Sequence, residues 1–356
     1  MQQLFPEGYV FSWALYGLAA AETARQLPLT DPRRPALLTR TQSAIRHLDS
    51  PTARAPFSAG LDPPYGAFYA AWRLYLRASY VRAAGANHVG PALLAGFEND
   101  CAALAATFER SPTPFPPSYA GAAWPADASV GIAALGLHDH VCPPRYAPLI
   151  ARWVAAVHQR LDPARQVLPH AADPTTGAPR GGTRGSSLAL MSRVLADAAP
   201  ALARAQYEVL RREFVDYRWS VPGVREYPRG TNGSADIDSG PLVLGFSGPA
   251  TVVGAAAARA HGDTVLADAL LGTVEIGGLP IEWRGRRYAG GTVLVGDAFI
   301  AWANATAVVP SPAVPWALVV PVSWAWPGHA VSLALVVLLL CPLWWKRARR
   351  AAVNEK

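Results

Sequence analysis

The alternation of short and long connections between apolar helical segments most constrains what this chain can fold into. Apolar residues recur at helical spacing almost throughout. They predict helices over about 7–27, 33–49, 65–84, 89–109, 127–140, 145–161, 184–198, 200–217, 240–261, 263–273 and 291–304. The joins near 28–32, 85–88, 141–144, 199 and 262 are short. Those at 50–64, 110–126, 162–183, 218–239 and 274–290 are long. Short joins make helical hairpins, and hairpins stacked side by side place every long loop on one face. The repeat is about 55 residues, long enough for one hairpin plus its loop. The expected fold is therefore all-α: an (α/α)6 toroid of six-hairpin type over 1–306. Helices starting near 7, 65, 127, 184, 240 and 291 would form its inner ring. Outer partners follow five of these, so the sixth is expected upstream of Met1 or within 308–326. No strand-rich domain is expected.

Beyond the helical repeat the composition changes. Between Ala298 and Trp345 there is no Asp, Glu, Lys or Arg. The run Ala330–Trp345 is densely apolar, and extending it back to Trp324 supplies the roughly 20 residues that a membrane span needs. Trp344-Trp345 and then Lys346-Arg347-Ala348-Arg349-Arg350 read as an aromatic belt followed by a cytoplasmic positive cluster. Residues 307–345 are thus expected to hold a linker and a membrane-spanning segment, and 346–356 a basic cytoplasmic tail. A single span would put the main domain outside the cytoplasm, and a hairpin of 314–326 with 330–345 would put it inside. Met1–Phe5 has neither a basic n-region nor an apolar h-region, so an export signal is expected upstream.

Much of the net charge of +7 sits in that tail. Lys346, Arg347, Arg349, Arg350 and Lys356 face Glu355 alone, and no basic run interleaved with aromatics occurs elsewhere. Nucleic acid is therefore excluded as a partner. Cys101, Cys142 and Cys341 show no CxxC or Cys/His metal spacing, so neither a metal nor a cofactor is expected. Cys101 and Cys142 could pair in an oxidising compartment or remain buried thiols.

In such a ring the chemistry belongs on the loop face. The densest loop is Arg225–Pro241, which carries Glu226, Tyr227, Arg229, Asp236 and Asp238 among Gly and Pro. Glu226, Asp236 and Asp238 are the candidate catalytic carboxylates. A carboxylate in an apolar mouth has its pKa raised and suits a general acid, whereas Glu226 is expected to stay ionised beside Arg225 and Arg229. Two such environments are what glycoside cleavage requires. Trp124, Asp127, His170 and Arg184 open or precede other inner helices and are candidate substrate contacts, with Asp127 also a natural N-cap. Tyr65 and Tyr69 belong to the aromatic stripe Tyr65, Phe68, Tyr69, Trp72, Tyr75, Leu76, Ser79, Tyr80, which serves either as core or as a stacking surface. Tyr288, with Glu282 and Asp297, recurs at the last mouth.

Trp124-Pro125-Ala126-Asp127, Asp162-Pro163, Asp173-Pro174-Thr175-Thr176-Gly177 and Arg225-Glu226 before a Gly- and Asp-rich loop together resemble the toroid domain of the linalool dehydratase/isomerase family. The likeness runs from Ala123 to about Ala303. It implies an (α/α)6 barrel acting on terpenoid alcohols through acid/base groups and paired cysteines. Ala123 and Ile132 stand where cysteines are expected, so no catalytic cysteine is carried over. The loops are also broadly similar to those of six-hairpin glycosidases and polysaccharide lyases.

Three functions follow as expectations. The first is a membrane-anchored enzyme cleaving a cell-envelope saccharide by paired acid/base groups, as a hydrolase or lyase. The second is a dehydratase/isomerase acting on an apolar alcohol, and the third a non-catalytic envelope scaffold.

Overall fold

A computed structural model describes residues 5–282, 285–310, 330 and 333–341. The chain is mostly helical. Its first half holds α1 (Gly8–Gln26), α2 (Arg34–Leu48), the single turn α3 (Pro51–Arg54), α4 (Gly66–Ala84), α5 (Pro91–Arg110), α6 (Pro125–Val141) and α7 (Ala147–His158). Its second half holds α8 (Gly185–Val194), α9 (Pro200–Val209), α10 (Gly248–Ala260), α11 (Thr264–Gly278) and α12 (Leu294–Ala305). Helices α1, α4, α6, α8, α10 and α12 each pack on the next, and α12 returns to α1, so their contacts form a closed cycle. Helices α2, α5, α7, α9 and α11 pack on members of that cycle as hairpin partners.

Side-chain size explains the two roles. Every residue of α6 from Pro125 to His138 is buried, most of them Ala, Gly, Ser, Val, Ile or Leu. A helix apolar on all sides must be covered on all sides. By contrast α7 buries only Leu149, Ile150, Trp153 and Val157, one face at helical spacing. Between α1, α4 and α12 the rings interlock: Phe11 lies 5.0 Å from Phe68, 5.2 Å from Trp72 and 5.4 Å from Phe299. The stripe of α4 from Phe68 to Tyr80 is accordingly buried core.

Three two-stranded antiparallel ladders interrupt the helices. β1 (Val215–Arg218) pairs with β2 (Val221–Val224), β3 (Leu242–Val243) with β4 (Phe246–Ser247), and β5 (Ile281–Glu282) with β6 (Arg286–Arg287). They correct two expected helices. The segment 200–217 leaves the α-helix at Val209, passes through a π-turn over Leu210–Phe214 and becomes β1. The helix expected from 240 begins at Gly248, because Leu244 and Gly245 take positive φ and close the β3–β4 hairpin. Two positive-φ residues suit a tight hairpin turn. Ser247 then caps α10 by accepting from the Ala250 amide, with Pro249 in the first turn.

Among the described residues no helix is long and apolar enough to cross a membrane. The expected span lies largely outside them. Of it, 333–341 is helical, and Leu333, Leu335, Val336, Val337, Leu338, Leu339 and Leu340 are exposed there. Most of 308–326, the expected place of a sixth outer helix, also lies outside the described residues.

Candidate functional site

Loops entering the ring helices bring acidic groups from three parts of the chain into one electrostatic cluster. Glu226 is placed by backbone pairing. β2 carries the chain into Arg225, whose amide donates to the Phe214 carbonyl, and the Glu226 amide reaches Gly245 O. The Glu226 carbonyl accepts from the Gly185 amide at 2.9 Å, which locks it to the start of α8. A Cβ on Gly185 would stand 1.9 Å from the Arg225 carbonyl oxygen, so only glycine permits this approach. The Glu226 side chain is fully buried and accepts from Ser186 Oγ at 2.8 Å. Burial pushes its carboxyl up to about 7, against the Ser186 hydroxyl and amide and Arg184, while Asp238 adds to the rise.

This corrects the expectation that Glu226 stays ionised beside two arginines. Adjacent residues of an extended chain point to opposite sides. Arg225 turns instead to Asp216, the Thr231 carbonyl and Asn232. The Arg229 guanidinium donates to the Val215 carbonyl, and its amide to Glu213 O, so Arg229 pins its loop to β1.

Asp127 is not the N-cap of α6. Trp124 holds that position, and Asp127 lies buried within the first turn. Burial raises its carboxyl to about 7; a Ser118 hydrogen bond opposes the rise, and Asp238 and Glu7 reinforce it. Ser118 and Tyr119 reach the mouth because their loop packs on Gly66 at the start of α4. Gly66 has φ +82, and a Cβ there would meet Ser118 O at 2.0 Å. Tyr119 donates its hydroxyl to Glu7 at 2.7 Å and stacks edge-on to Trp124 with centroids 5.2 Å apart. The Phe68 ring lies 6.3 Å away, so the interlocked aromatic rings continue up to this tyrosine.

Asp238 stands at the exposed rim. The surrounding loops still strip solvent from its carboxyl and raise it, with Glu7 adding like charge and Arg184 opposing. Arg184 is ion-paired with Asp236 and lies over the Tyr227 ring at 5.7 Å. Asp236 also accepts from the Ser239 amide in a tight turn. Tyr227 donates to Ser234 O. His170 hydrogen-bonds Ser187 Oγ at 2.5 Å, and burial, then Arg184, lowers its ring to about 4.

The cluster therefore holds Trp124, Asp127, His170, Arg184, Glu226, Tyr227, Asp236 and Asp238. Glu7, Ser118, Tyr119 and Ser186 complete it, and sequence reasoning missed all four. Glu7 precedes a helix as many surface glutamates do, and nothing local marks it.

Other candidates lie elsewhere. Tyr65 and Tyr69 line a separate cleft of about 480 Å³ with Asp49, Asp62, Arg73 and Asp100. Tyr69 there donates to the Leu48 carbonyl. Tyr288 donates to Glu275 Oε1 at 2.5 Å and packs with Val252, Ala256 and Ile300. Glu282 is exposed on β5.

This cluster holds two buried carboxyls raised to about 7, a third that is exposed, one arginine and several rings. That set can donate a proton to one substrate oxygen and accept one from another. No protein-family model matches the chain, and no curated protein does.

Proposed function

We propose that this chain is a membrane-anchored (α/α)6 toroid enzyme that cleaves a cell-envelope saccharide by acid/base chemistry at the ring mouth. The observation that carries the reading is the pair Asp127 and Glu226: both buried, both raised to about 7 and both coupled to Asp238. One member protonates the leaving oxygen while another, ionised, activates water or abstracts a proton. Trp124, Tyr119 and Tyr227 supply ring faces for a sugar, and Arg184 holds Asp236. The closed cycle of six helices supports the toroid. The exposed apolar helical residues of 333–341, ahead of Trp344-Trp345 and the basic tail, support a C-terminal anchor with the ring outside the cytoplasm.

The test is release of new reducing ends from a panel of neutral and acidic polysaccharides by the full chain in detergent. At least one polymer is cleaved, with a pH optimum near 7. Glu226→Gln and Asp127→Asn each lower the rate by about 100-fold or more. Failure to cleave or bind any polysaccharide would sink this reading.

A second reading, a dehydratase/isomerase acting on an apolar alcohol, draws on the aromatic continuity from Trp72 and Phe11 through Phe68 to Tyr119. Turnover of an allylic alcohol by the same preparation, with polysaccharides untouched, selects it.

A further inference from the structure

The other end of α6 carries a cluster of different chemistry. Among the described residues, Glu98, His138 and Cys142 each offer one ligand atom, and the three atoms lie within 4.8 Å of one another. Glu98 projects from α5. His138 and Cys142 sit four residues apart where α6 ends, so they share one face. His138 is fully buried, and its Nδ1 lies 3.0 Å from Asp139 Oδ1. Its Nε2 is buried without any hydrogen-bond partner. An orphaned buried ring nitrogen calls for an explanation, and a bound ion is one.

Asp139 is built to orient this ring. Its Oδ1 accepts from the Arg145 amide and its Oδ2 from the amides of Tyr146 and Ala147, which fixes the carboxylate against the ring. With Nδ1–H directed to Asp139 Oδ1, the lone pair is on the unpartnered Nε2. A carboxylate behind a histidine is the usual outer support of a metal ligand. Phe97 and Tyr146 wall the ring at 5.6 Å and 4.8 Å. The C-terminal end of a helix also favours a cation.

We propose that Glu98, His138 and Cys142 form a divalent-metal site of zinc type, which ties α5 to the end of α6. One thiolate, one imidazole and one carboxylate are a borderline-soft donor set that suits Zn²⁺, and three protein ligands leave a fourth position for water. Ligand atoms around a tetrahedral zinc stand roughly 3.3–3.8 Å apart, so side-chain shifts of about an ångström close the set. Asp127 and His138 are eleven residues apart on α6, roughly 16 Å along the axis, so this site is distinct from the mouth. The expectation of no metal rested on the absence of CxxC and of Cys/His metal spacing; His138 and Cys142 stand four residues apart, and packing brings Glu98 of a second helix to them.

The test is titration of the full, reduced, chelator-treated chain with Co²⁺ and then Zn²⁺. One Co²⁺ per chain is expected, with a thiolate-to-cobalt charge-transfer band that Zn²⁺ abolishes. Cys142→Ser removes the band and Cys101→Ser keeps it. Glu98→Gln, at a half-buried position that tolerates the change, weakens binding by about tenfold or more, and Asp139→Asn by about 10–100-fold. Absence of stoichiometric binding overturns the site. So does a band that survives Cys142→Ser, or one that depends on Cys101 instead. Should Cys142→Ser fail to fold, the unaltered chain still decides: Zn²⁺ must slow modification of Cys142 and leave Cys341 reactive.

Discussion

At the loop face Asp127 and Glu226 are buried with carboxyls raised to about 7, whereas beyond the C-terminal end of α8 Asp197 is held below its ordinary value. Burial pushes all three upward. The difference lies in the neighbours. Asp197 accepts from Arg193 at 3.1 Å, from Arg82 at 3.1 Å and from the Tyr75 hydroxyl at 2.6 Å. Arg193 also faces Glu22 at 3.5 Å and lies over Trp302. Asp127 has Ser118 for company and two further acids. Where two arginines and a hydroxyl answer burial the carboxyl is held low; where burial is opposed chiefly by serine hydrogen bonds it rises.

The largest expected effect comes from removing that supply. Arg193→Met leaves Asp197 and Glu22 buried without their shared partner and costs about 3–5 kcal/mol, read from chemical denaturation at pH 7. A cost below about 1 kcal/mol would break the comparison, since the two ends would then differ in name only.

Asp127→Asn tests the opposite end and has the opposite sign. A carboxyl raised from 3.8 to about 7 binds its proton more tightly in the folded chain. Its contribution therefore falls as pH rises from about 4 to 7 and stays low above that. At pH 8 the asparagine variant should be more stable than the parent by at most roughly 4 kcal/mol, and near pH 4 the two should converge. Glu226→Gln follows the same course over a slightly narrower window. Asp197 runs the other way: its stabilisation is present above about pH 4 and is lost as pH falls through its depressed folded value. Thermal unfolding from about pH 2 to 8 distinguishes the two raised carboxyls from Asp197.

The smallest expected effect sharpens the site. Ser186→Ala removes the hydroxyl that favours the ionised Glu226, so the pKa of Glu226 should rise further, by less than about one unit. Carboxyl chemical shifts followed against pH measure it. A fall would mean that Ser186 serves the protonated form.

Much of the architecture was legible. The alternation of short and long joins located the hairpins. Errors came where tight turns broke a helical pattern. Leu242–Ser247 is apolar enough to extend α10, and only Ser247-Gly248-Pro249, a cap followed by proline, hinted at the true start. The site was half legible. Glu226 stood out in the densest polar loop and Asp127 at the opening of a helix, but their protonation did not. Arg225 and Arg229 flank Glu226 in sequence and turn away from it in space.

The sequence by itself therefore determined most of the helices and their hairpin pairing, because those follow from periodicity and loop length along one chain. Tertiary structure alone decided which charges meet. It set Glu7 and Tyr119 beside Asp127, gave Arg193 to Asp197, and aimed Glu98 at His138 and Cys142. A pKa or a ligand set depends on distances between side chains far apart in sequence, and only packing fixes those.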